Sequence, residues 1–290
     1  MESRDIGRKD CMSNLDSGLI ERVRLCGDHH AIDRLYLGIE WETPLDQQVM
    51  AELSSLAQEL SELPRRIEIR ASETPLSEAS SKQEKSDDIS ELVEIALDNS
   101  KGSEETEADK TLEIFIKQTG VFFGVLASTY VSWSDTKEKA SRLTRSILGK
   151  VLEHRALNSV GLQVVDSFRF DREIELSSVL DKRSDYLPPG VFKRSAYWRF
   201  DQSYYDFADP EAAQLTNFQI MHSPVEGDDQ LVIACLHRFD LNSPQKPSIA
   251  ELHARYDELY GMNKRLVGSL LSDMLSKRIG IQNSGDNHES

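Results

Sequence analysis

Apolar residues recur at three- and four-residue steps in three long stretches of the chain. From Ser248 to Gly280, Ile249, Leu252, Tyr256, Leu259, Leu266, Leu270 and Met274 fall on one helical face. Ser248 and Glu251 have the spacing of a capping box. Lys277 and Arg278 suit the negative end of the helix dipole, and Gly280 suits a left-handed C-cap. A second helix is predicted over Asp135 to His154, with Ala140, Leu143, Ile147 and Val151 inward. A third opens at Thr43 with Pro44 in its first position and buries Val49, Leu53, Leu56, Leu60 and Leu63.

Period-two alternation marks the strands. Leu35 to Glu42, residues 66 to 70, Val160 to Phe170, Val191 to Phe200, Ala213 to Met221 and Gln230 to Phe239 all read this way. Thr111 to Lys117 and Val121 to Thr129 form a hairpin about Thr119-Gly120. Strands arrive in adjacent runs more than in strict alternation with helices. The expectation is an α+β fold: a mainly antiparallel twisted sheet with two or three long amphipathic helices packed on one face. The order also admits two similar halves, 31–154 and 158–280, although no residue-level repeat is visible.

Composition changes this picture at one place. The chain has 290 residues and a net charge of −16, and residues 73 to 109 carry −9 of it with no aromatic residue. That segment reads as a disordered acidic insertion in a single domain spanning 31–280, with a polar segment at 1–30 and a disordered tail at 281–290. Inside the insertion, Ile89, Leu92, Val93 and Leu97 have helical spacing behind an acidic cap. They read either as a loosely packed helix or as a motif that folds on a protein partner.

The acidic balance disfavours nucleic acid, whose phosphates need clustered cations. Cys11, Cys26 and Cys235 are odd in number and widely spaced, which suggests neither a disulfide framework nor a zinc site. No charge-poor apolar run is long enough to span a membrane, and the first residues lack a signal-peptide pattern, so a cytoplasmic protein is expected.

Four stretches carry a resemblance. They are L-G-I-E-W-E-T-P at 37–44, T-Y-V-S-W-S-D at 129–135, V-G-L-Q-V-V-D-S-F at 160–168, and H-R-F-D-L-N followed by A-E-L-H-A-R-Y-D-E-L-Y. Their order resembles an uncharacterised, sporadically distributed bacterial protein family with a Tyr-x-x-Trp lead into its second helix and a central Gly-Leu-Arg-Tyr-x-Asn strand. The chain departs from that strand at Gln163, where the family has Arg, and at Asp166, where it has Asn. The resemblance implies a bacterial accessory protein and brings no activity with it.

No phosphate loop, GxSxG or HExxH is present, and no cofactor is expected. Cys26, His29 and His30 form a weak metal candidate. His237, Asp240 and His253 are the acid–base candidates for a hydrolase reading. Arg194, Tyr197, Trp198, Arg199, Tyr204 and Tyr205 interleave cations with rings, a composition shared by strands packed under helices and by protein interfaces. The leading expectation is a non-catalytic protein of immunity or defence type. It would act through a protein partner of unknown identity and could form homo-oligomers. A small-ligand binder is the alternative.

Overall fold

A computed structural model describes residues 21–27, 29–71, 91–100, 111–193 and 197–281. Its strands are β1 (Arg24–Leu25), β2 (Ile32–Glu40), β3 (Arg65–Ala71), β4 (Glu91–Asp98), β5 (Leu112–Lys117), β6 (Gly120–Leu126), β7 (Leu157–Asp171), β8 (Trp198–Asp206), β9 (Ala212–Val225) and β10 (Asp228–Gln245). Its α-helices are α1 (Gln47–Gln58), α2 (Trp133–His154), α3 (Leu176–Val179), α4 (Ile249–Leu270) and α5 (Asp273–Arg278). The strands form one antiparallel sheet, ordered β3-β4-β5-β6-β2-β7-β10-β9-β8, with β1 added beside β7. The sheet is twisted and does not close into a barrel. The α+β architecture expected from strand clustering is what the chain adopts.

Both halves trace the same path. β2 leads into α1, and the β3–β6 meander brings β6 back beside β2 before α2 follows. β7 leads into α3, and the β8–β10 meander brings β10 back beside β7 before α4 follows. β2 and β7 pair antiparallel at the centre, with Gly38 opposite Gly161. A Cβ at Gly38 would stand 2.7 Å from the Phe122 ring, and one at Gly124 would stand 2.6 Å from Tyr36. The two rings thus lie over strand glycines and cover backbone on the face without helices.

The other face carries the core. Alternation turns Leu35, Leu37 and Ile39 of β2, Leu162, Val164 and Phe168 of β7, and Leu231, Ile233 and Phe239 of β10 toward the helices. The stripe Ala140, Leu143, Ile147 and Val151 of α2 is buried as its spacing predicts, and Ser132 caps that helix by accepting from Asp135 N. α4 spans both core clusters. Leu252, Leu259 and Met262 serve the first, and Leu266, Val267 and Leu270 the second. The Ser248–Glu251 capping box forms. No helix among the described residues is long and apolar enough to cross a membrane.

Four expectations are corrected. Residues 91–98, assigned to a disordered insertion and given helical spacing, form β4 between β3 and β5, with Leu92, Ile95 and Leu97 buried. In so short an apolar run the periods of 3.6 and 2 overlap, and the alternation Leu92, Ile95, Leu97 proves to be the inward face apart from one irregular step. Ile89 and the rest of 73–90 and 101–109 lie outside the described residues, as do 1–20 and 282–290.

The closing helix is also broken. Leu271 is extended (φ −87°, ψ 153°), Ser272 N donates to Val179 O at 2.9 Å, and Asp181 N donates to Leu270 O at 2.9 Å. Ser272 then caps α5. A Ser-Asp start inside an apolar run is the cap signal that the continuous periodicity hid. The first helix opens at Asp46 rather than Thr43. The expected strand 191–200 becomes a 3₁₀ turn over Pro189–Lys193, with β8 starting at Trp198.

Candidate ligand-binding site

Asp166 occupies an inward position of β7, in phase with Leu162, Val164 and Phe168, and is 4 % exposed. It faces Ile233 of β10 on one side. On the other it faces Ile32, where the β2 register slips before Arg34. Bulges of this kind commonly re-aim side chains beside functional sites. The carboxyl makes no hydrogen bond or ion pair with a described residue, and burial alone raises its pKa to about 7. A buried carboxyl without partners is costly, and its perturbed proton affinity marks a functional-site candidate.

α4 lays three residues above it. Asn263 is also 4 % exposed, and its side chain meets the ring of His237 on β10. Tyr260 holds its hydroxyl 3.2 Å from that of Tyr130, which follows β6. Burial raises the pKa of both phenols, so both stay protonated in the physiological range. Lys264 stands over the Tyr260 ring at 5.6 Å. Trp133, at the start of α2, stacks on Tyr260 with centroids 4.3 Å apart and planes 9° from parallel. Its indole donates to Asp257 at 2.6 Å, which locks the stack between α2 and α4. His30 sets its ring edge against Tyr130 at 4.9 Å. Together these groups line a cavity of about 280 Å³ with Asp166 and Asn263 in its depth. Ser132, Lys264 and His29 lie at its exposed rim.

One strand away, His237 of β10 is buried beneath α4 with Nδ1 3.2 Å from Thr216 Oγ1 and its ring against the Asn263 side chain. Burial lowers its pKa to about 4, so it is neutral. Asp240 does not join it. It lies on the opposite face of β10, paired with Arg238 at 2.7 Å. His253 bonds to Ser141 of α2. It sits on α4 ten residues before Asn263, about 15 Å along the axis at the rise of an α-helix. The three hydrolase candidates are therefore not assembled into one proton relay.

The Cys-x-x-His-His residues separate as well. Cys26 Sγ lies 3.6 Å from Ser167 O, and burial pushes its thiol up to about 11, while His29 and His30 line the cavity. No group of three His, Cys, Asp or Glu side chains suited to a metal occurs among the described residues.

The aromatic stretch divides by strand alternation. Trp198 is buried and stacks on His222, and Tyr204 is half-buried. Arg199 pairs with Asp201 at 2.8 Å on the other face. Tyr197 and Tyr205 are exposed. Arg194 lies outside the described residues. Of the proposed partner motif, Leu92 and Leu97 belong to the core and Val93 is half-buried.

Tyr130, Trp133, Asp166, Tyr260, Asn263 and Lys264 were not singled out as site residues. One signal was available in the sequence: a lone acid at the inward phase of V-G-L-Q-V-V-D-S-F, where every in-phase neighbour is apolar. No family model matches the chain, and a search of curated proteins finds no significant relative.

Proposed function

We propose that this protein is a small-molecule-binding protein of non-catalytic, accessory type, with its ligand in the cavity between β7, α4 and the start of α2. One observation carries the reading. Asp166 is almost fully buried, makes no hydrogen bond or ion pair with a described residue, and lines the cavity. Leaving a buried polar group unsatisfied costs roughly 1–3 kcal/mol, and more for a charged one. A ligand that supplies the missing hydrogen bonds recovers this cost. The volume of about 280 Å³ sits at the small end of ligand pockets, near ~300 Å³. Native mass spectrometry of the protein purified from its own host is expected to find a small molecule retained by the wild type and lost from Asp166→Asn.

A second reading is favoured by a different observation. β8 is the outermost strand of its half, and on it Tyr205 is exposed. Its ring stacks at 5.7 Å on Phe207, which is 74 % exposed. A strand edge left unpaired among the described residues, beside exposed rings, suits strand addition by a protein partner. Under this reading, Tyr205→Ser with Phe207→Ser removes a stoichiometric partner in affinity purification without lowering Tm by more than a degree or two. Equal recovery of that partner with wild type and variant contradicts it.

A further inference from the structure

The cavity has opposite electrostatic ends. Its depth offers acceptors, the two carboxyl oxygens of Asp166. Its rim offers positive charge. Lys264 is exposed there. Ser132 and Trp133 bring in the start of α2, a helix of 22 residues. Ser132 Oγ already accepts from Asp135 N, and the first-turn N–H groups together carry about half a positive charge. Asp135, in that same turn, is engaged by Lys139 at 3.4 Å, which limits how far it neutralises the helix end.

We propose that the ligand is a small zwitterion of the amino-acid class. Its ammonium group docks against Asp166, and its carboxylate sits between Lys264 and the N-terminus of α2. The inference rests on the ligand-binding reading and specifies the ligand. An ammonium group brings three donors to a cluster of acceptors. A carboxylate at a helix start accepts from backbone N–H groups. The rings of Tyr130, Trp133 and Tyr260 leave an aromatic wall for the body of the ligand. Lys264 would repel a simple amine brought to the same place, so the carboxylate converts an unfavourable charge at the rim into a favourable one. In its occupied state Asp166 is an anion paired with the ammonium, which relieves the burial of an isolated charge.

The test uses calorimetry on the full chain with the twenty L-amino acids. Each ligand found is compared with its decarboxylated amine and its deaminated acid. At least one amino acid is expected to bind ten-fold or more tightly than either matched analogue. Asp166→Asn is expected to weaken the amino acid and the amine by ten-fold or more. Lys264→Ala, at an exposed position, is expected to weaken the amino acid and the acid while sparing the amine. An amine that binds as tightly as its amino acid overturns the zwitterion in favour of a cation site. If no amino acid binds while another small molecule co-purifies, the zwitterion falls and the ligand site stands. If nothing binds or co-purifies, both readings fall.

Discussion

Replacing Asp166 with asparagine is expected to stabilise the fold by roughly 4 kcal/mol at pH 8 and to leave it almost unchanged near pH 4. The size follows from a carboxyl pKa moved from 3.8 to about 7 by burial, at about 1.4 kcal/mol per unit. The direction is opposite to that of a salt-bridged aspartate. Below pH 4 both the folded and unfolded chains carry the proton, and Asp166 contributes nothing to the pH dependence. Between pH 4 and 7 the unfolded chain has lost the proton and the folded chain still holds it, so stability falls as pH rises. Above pH 7 both forms are ionised and the full penalty of the buried charge is present. Asparagine has the same shape and no charge to bury. Urea denaturation of wild type and variant at pH 4, 6 and 8 reads the difference, which cancels the titration of all other groups. The gap is expected to open with pH. A gap that stays flat or closes would mean that Asp166 is solvated or paired in the folded state.

Ile95→Ala is expected to destabilise the protein by about 2–5 kcal/mol, the usual cost of deleting a buried isoleucine side chain down to its Cβ. Ile95 is fully buried in the middle of β4, and β4 joins β3 to the rest of the sheet. If residues 91–98 belonged to a solvated insertion, the same change would cost less than about 0.5 kcal/mol, as at an ordinary surface position. Chemical denaturation distinguishes these outcomes cleanly. It also fixes which part of the acidic segment can be removed without loss of the fold.

The two largest effects fall where sequence reading was weakest, and for different reasons. β4 was hidden by composition. Glu91, Glu94 and Asp98 lend it the acidity of its surroundings. Glu94 pairs with Lys117 of β5, and the Asp98 carboxylate accepts from Ser100 N, so this charge coexists with a core strand. The long amphipathic stretches were legible because their stripes are wide and repeated. Ala140 to Val151 and Leu252 to Leu270 bury as their spacing demands, whereas Ile249, expected on the same face, is 37 % exposed. The break at Leu271–Ser272 was not, because contacts from Val179 and Asp181, distant in sequence, replace the helical bonds there.

The site itself was legible only in fragments. Asp166 and the Tyr130–Trp133 spacing are visible as residues, but Tyr260, Asn263 and Lys264 join them only when α4 crosses the β7 strand. His237 and Asp240 looked adjacent in sequence, three residues apart at a strand end. The period of two sends them to opposite faces of the sheet.

A ligand in the cavity above Asp166 is a proposal with a direct readout. Native mass spectrometry on protein from its own host tests it most directly, with the denatured mass as the reference. The account predicts an excess mass of a small metabolite on the native wild-type chain, absent from Asp166→Asn prepared in the same way. A native mass equal to the denatured mass in the wild type, together with no added metabolite able to change it, would contradict the account.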